Sequence, residues 1–134
     1  MIKVFFISLN KRINYELYYL FFNGKLCKKE KEYQKANDFF IQSINMANGD
    51  AKYEYGKMLL KGKGEMINKK KAIEYFKEAI KNENAKSMYK YALILKEENN
   101  KEFLKFIKIA SDKGYSKALY QYVTYLISKF STIN

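Results

Sequence analysis

The sequence predicts an all-α fold, a solenoid of antiparallel helix hairpins about three and a half repeats long. Three observations predict it. The chain repeats itself: Ile13-Asn14-Tyr15-Glu16-Leu17 lines up with Ala51-Lys52-Tyr53-Glu54-Tyr55, Ala85-Lys86-Ser87-Met88-Tyr89 and Ser116-Lys117-Ala118-Leu119-Tyr120, so unit starts at 13, 51, 85 and 116 give periods of 38, 34 and 31 residues. A period of this size marks stacked helical hairpins, each too small to bury its apolar face alone. The second half of each unit carries apolar residues at helical spacing, and the breaks between are short and polar in a chain of 134 residues with no proline.

The elements follow in order. Met1 to Asn10 reads either as a truncated preceding B helix or as a strand-like arm. The first unit, 13–50, opens an A helix at Ile13, and its Phe21-Phe22-Asn23-Gly24 aligns with Leu59-Leu60-Lys61-Gly62 at the end of the second A helix. A polar loop from Lys25 to Lys31 should follow, then a B helix with Ala36, Phe39, Phe40, Ser43 and Ile44 on one stripe. In the second unit, 51–84, the A helix runs roughly from Ala51 to Lys61 and ends at Gly62-Lys63-Gly64. Its B helix starts near Lys69 and aligns Ala72, Ile73, Phe76, Ala79 and Ile80, an i, i+1, i+4, i+7, i+8 pattern. Asn82-Glu83-Asn84 ends it. The third unit, 85–115, has Lys96-Glu97-Glu98-Asn99-Asn100 where the glycine turn stood, then Phe103, Phe106, Ile107 and Ala110. A partial or capping unit, 116–130, is one apolar helix. Small residues such as Ala51, Gly56, Ala72 and Ala79 fall where helices approach closely, with Tyr55, Leu59 and Phe76 filling the adjacent holes.

Ala51-x3-Tyr55-Gly56-x2-Leu59-x2-Gly62-x-Gly64, followed by Lys71-Ala72-x2-Tyr75-Phe76-x2-Ala79, resembles the Sel-one-like repeat, an α-solenoid relative of the tetratricopeptide repeat. The resemblance is densest over 51–85 and extends over about 13–130. The position of Gly56 becomes Tyr18, Lys90 and Gln121 in the other units. The resemblance implies one solenoid domain over 1–134 and an adaptor role in protein assemblies.

Composition narrows the function. Charge is +12, from 26 Lys+Arg against 14 Asp+Glu, and Arg12 is the single arginine. An excess of this size attracts nucleic acid, anionic membranes or acidic proteins. Arginine, however, supplies the bidentate contacts of specific nucleic-acid readers, whereas lysine acts as a point charge. Lysine here accompanies abundant Asn, Ile, Tyr and Phe, the profile of A/T-rich codons. The apolar run Val4 to Ile7 is far shorter than the ~18 residues of a membrane span, and no signal-peptide pattern follows it. A cytoplasmic location is expected. Cys27 alone forbids an internal disulfide, and the absence of histidine removes the common zinc sites. No Cys–His or Ser–His pair exists, and Gly62-Lys63-Gly64 is too short for a P-loop. Glu74/Glu78 and Glu98/Glu102 fall on solvent faces. A non-catalytic chain with no cofactor is expected.

The resemblance also implies where a partner would lie. In tetratricopeptide-like arrays the A helices line a concave groove, through positions two before and two after the Tyr55 site. Carried over, these are Tyr15 and Tyr19, Tyr53 and Lys57, Ser87 and Tyr91, and Ala118 and Tyr122. One turn further come Phe22, Leu60, Ile94 and Tyr125. Tyr15, Tyr19, Tyr53, Lys57, Tyr91, Tyr122 and Tyr125 are therefore the candidate peptide-binding residues. Tyrosine offers rigid contact area and one hydrogen-bonding group, which suits a peptide, and rim lysines favour an acidic one. Three other readings stay open: the tyrosines pack helix on helix, the lysine faces (Lys69-Lys70-Lys71; Lys101, Lys105, Lys108) bind nucleic acid, or the chain forms a homo-oligomer through Ile2–Ile7 and Val123–Phe130.

Overall fold

The computed structural model describes residues 2–131. Seven helices follow one another, with no strand among the described residues: α1 (Ile2–Lys29), α2 (Tyr33–Asn45), α3 (Gly49–Lys61), α4 (Lys69–Lys81), α5 (Ala85–Leu95), α6 (Asn100–Asp112) and α7 (Ser116–Ser131). They make two compact units, Met1–Ala72 and Ile73–Asn134, whose boundary falls in the first turns of α4.

Helix starts share one device. Asn48 accepts from the backbone N–H of Asp50 and Ala51, Asn68 from Lys71, Asn84 from Ser87 and Asn99 from Glu102, at 2.9–3.3 Å. Each asparagine thereby satisfies amide groups that a helix start leaves without an intrahelical partner. Helix ends share another. Lys31, Ala47, Glu83 and Gly114 all take left-handed backbone, with φ of 61–84°. At each, the next residue's N–H reaches five residues back, Glu32 to the Cys27 carbonyl (2.8 Å), Asn48 to Ser43 (3.2 Å), Asn84 to Ala79 (3.2 Å) and Tyr115 to Ala110 (3.1 Å). Four helices thus close with the same Schellman turn.

In the first unit α1 packs on α2 and α2 on α3. Here the structure corrects the sequence reading. No turn follows Gly24 and no loop spans 25–31; α1 is one helix of 28 residues. The segment Ile2–Asn10 is its first turns, not a separate B helix or a strand-like arm, and Met1 lies outside the described residues. Gly24 is a contact glycine, because a Cβ there would stand 2.6 Å from Cε1 of the Phe40 ring. Beyond it Lys25-Leu26-Cys27 are ordinary helix residues, and Lys28 and Lys29 complement the negative end of the helix dipole. Gly62 does make the expected turn, at φ 65°. Gly64 follows at φ 83°, where a side chain would strike the Tyr33 carbonyl. The A-to-B turn is tied down by the buried Tyr55 phenol, which donates to the Glu65 carboxylate and accepts from Lys71. Though long, α1 is not apolar enough to cross a membrane, nor is any other helix among the described residues.

The second unit packs α5 on α6 and α6 on α7. Met88, Ala110 and Ala118 form one core cluster with Ile80, Tyr89 and Tyr115 around it. Ala92, Phe103 and Ile107 form another, flanked by Leu93, Leu104 and Tyr122. The repeat is visible in burial as well. Positions 36/72/103, 40/76/107 and 43/79/110 of successive B helices are all buried.

Candidate functional site

The α1 helix presents two apolar faces. At about 100° per residue, Tyr15, Tyr18, Tyr19, Phe22 and Leu26 form one stripe, on the side opposite Gly24. All five are exposed, Tyr15 at 73% and Tyr19 at 63%. Tyr18 stacks on Phe22 at 6.2 Å and 24°, and Tyr19 meets Phe39 of α2 edge-on at 6.5 Å. Tyr15 and Tyr19 are thus exposed on one aromatic stripe of α1.

On α3 the outcome differs. Tyr53 is 6% exposed and belongs to the packed interior rather than to an open wall. Ser87 and Ala118, in the same register of α5 and α7, are buried too. This register position is buried in α3, α5 and α7, at Tyr53, Ser87 and Ala118, and open in α1 at Tyr15. Lys57 lies with its ammonium 4.3 Å from the centre of the Tyr53 ring. Beside it Glu54 is buried and shared: one carboxylate oxygen accepts from Lys28 at 2.8 Å and the other from Lys57 at 3.1 Å. Burial pulls the Glu54 carboxyl upward, but the two ammoniums outweigh it and hold it below its usual range. Burial, reinforced by the nearby Lys28 charge, pushes Lys57 down to about 8 despite Glu54.

In the second unit Tyr91 meets Phe106 edge-on at 5.3 Å, with the Lys77 ammonium 5.6 Å from its ring. Tyr122 packs against the Ala92–Phe103–Ile107 cluster. Tyr125 lines a cavity of about 170 Å³ with Lys96, Phe103 and Gln121, and Lys129 stands over its ring at 5.6 Å. All three tyrosines are half-buried, so each packs with one face and meets solvent with the rest. Tyr91 lies on α5, and Tyr122 and Tyr125 lie on α7; each of these helices packs on α6.

Glu54 and Lys28 were not among the expected site residues. The signal was mixed: Glu54 shares its register with Met88 but also with Glu16 and Leu119, both exposed, so the alignment does not mark it as buried. Nothing local marks Lys28, because it comes to Glu54 only once α1 runs past Gly24.

No protein-family model and no curated protein matches the chain. Among solved structures, the chain is similar to a Sel1 repeat protein from Oxalobacter formigenes, with a TM-score of 0.69 and 22% identity. The match covers 74% of this chain and 41% of that one. The chain has the fold of a Sel1 repeat protein and spans less than half the length of that relative.

Proposed function

We propose that this chain is a non-catalytic interaction scaffold that holds a peptide or protein segment, preferably acidic, against tyrosine surfaces in each of its units. The observation that carries the reading is the α1 stripe, five large side chains left open on a helix whose other face is partly buried from Leu17 to Lys28. Exposed apolar patches of this kind are characteristic of protein contact sites, and helical-repeat folds present extended binding surfaces. In the first unit Tyr15 and Tyr19 with Phe22 form the open surface on α1, and Lys57 with the buried Tyr53 ring lies apart from it on α3. In the second, Tyr91, Tyr122 and Tyr125 provide the surface. Lysines standing over Tyr53, Tyr91 and Tyr125 place positive charge beside each ring, which supports an acidic partner.

Selecting peptides by display on the purified chain tests this. Tyr15→Ala with Tyr19→Ala, or Tyr91→Ala with Tyr125→Ala, should weaken a selected peptide at least about tenfold, ~1.4 kcal/mol. Equal affinity in both double variants would remove the surfaces. A second reading, self-association, is favoured by the exposed Ile2, Val4, Phe5, Phe6 and Ile7 at one end and Val123, Ile127 and Phe130 at the other. Sedimentation showing a monomer at high concentration would dismiss it.

A further inference from the structure

Four lysines converge on one small hollow of the first unit. Lys28 from the last turn of α1, Lys57 and Lys61 from α3, and Lys63 from the following turn line a space of about 30 Å³ beside Met58. Glu54 faces Lys28 and Lys57, so these five side chains carry four positive charges against one negative, a local excess of three. Three of the four ammoniums are held in place. Lys28 and Lys57 are each fixed to one Glu54 oxygen, and Lys57 and Lys63 stand 4.3 and 5.0 Å from the ring centres of Tyr53 and Tyr33.

We propose that this hollow is an oxyanion site that takes a carboxylate or phosphate group carried by the bound protein segment. Its volume admits about one oxygen atom or water, so one oxygen enters and the rest of the group stays at the mouth near exposed Lys61. Lysine suits the task, since a point charge on a flexible stem follows an anion of either geometry. Burial, and after it the Lys28 charge, depresses the Lys57 ammonium, and an anion beside it would oppose that shift. The inference rests on the scaffold reading and gives it a chemical preference: an acidic or phosphorylated side chain seated at the α1–α3 side of the first unit.

The experiment follows lysine Cε–H and Met58 methyl signals of the full chain by NMR during titration with inorganic phosphate and, separately, a capped hexaglutamate peptide, with sodium chloride as the ionic-strength control. The expected result is saturable shifts at Lys28, Lys57 and Met58 that chloride does not reproduce. Both Lys57→Gln and Lys61→Gln should weaken them about tenfold; the second leaves the Glu54 pairs intact and guards against a folding defect. Tighter binding of the peptide identifies a side chain of the partner as the source. Saturation by phosphate alone retains the oxyanion site and assigns it to free phosphate. Shifts spread evenly over lysines outside the hollow, equal affinity in both variants, or tighter binding of a single-stranded RNA control with such a spread would overturn the site. If a display-selected peptide still depends on Tyr15 and Tyr19 while the hollow stays silent, the oxyanion site alone fails. If no peptide binds anywhere, the scaffold reading fails with it.

Discussion

Ser87 is wholly buried, and its hydroxyl oxygen has no hydrogen-bond partner among the described residues. Its backbone N–H does the useful work by donating to Asn84, so the hydroxyl contributes only the cost of leaving water. Ser87→Ala, which installs the residue already present at Ala118, should raise stability by about 1 kcal/mol in urea unfolding. Ala47 carries a different cost. It sits at φ 63° after α2, in the position that Gly114 takes after α6. Ala47→Gly should gain about 0.5–1 kcal/mol, because glycine takes left-handed backbone without a Cβ clash; a drop in stability would mean the turn is held by something other than backbone geometry. Of the asparagine caps at 48, 68, 84 and 99, the sequence reading marks Asn84 and Asn99 only as parts of breaks between helices, and their capping bonds come from the structure. The left-handed alanine and glutamate were not legible, because nothing in those residue types announces positive φ.

At the scale of elements, the two glycines that alignment made equivalent do opposite jobs. Gly62 ends α3, whereas Gly24 lets the Phe40 ring lie against the C-terminal part of α1. Sequence periodicity cannot separate these roles, because both need a missing side chain. Gly24→Ala should cost about 1–3 kcal/mol by overpacking, outweighing the roughly 1 kcal/mol that alanine gains in a helix interior, and Phe40→Leu in the same chain should recover part of the loss. The continuous α1 has a second consequence, in carrying Lys28 to Glu54. Lys57 binds its proton less tightly folded, at about 8, than at the ordinary 10.5 of lysine. Between those values the unfolded chain holds more protons, so this group makes stability rise as pH increases from about 8 to 10.5. Glu54, held below its usual value, adds stability that is lost as acid protonates it. Comparing urea midpoints of the wild type and Lys57→Met across pH 7–11 isolates the alkaline part; parallel curves would show that Lys57 is not buried as described.

For the whole molecule, the hairpin plan was readable because period, helical spacing and short breaks all report on the backbone, and each recurs in more than one unit. The binding residues were less readable. Whether a tyrosine faces solvent or core depends on the neighbouring helix, and the same register that is open at Tyr15 is closed at Tyr53. Charge is also shared between jobs: lysines 25, 57, 63, 71, 77, 96, 105 and 129 all stand within 5.7 Å of an aromatic ring centre. Such contacts contribute roughly 0.5–1 kcal/mol each at exposed sites. A good part of the +12 charge therefore has a structural use before any ligand is considered.

Fluorescence anisotropy with a display-selected peptide, run beside a labelled single-stranded RNA at low and moderate salt, tests the scaffold reading most directly. The account predicts peptide binding that falls at least about tenfold in Tyr15→Ala/Tyr19→Ala while circular dichroism is unchanged, and that weakens only modestly with salt. Unchanged peptide affinity in that variant, with submicromolar RNA binding that collapses as salt rises, would contradict it.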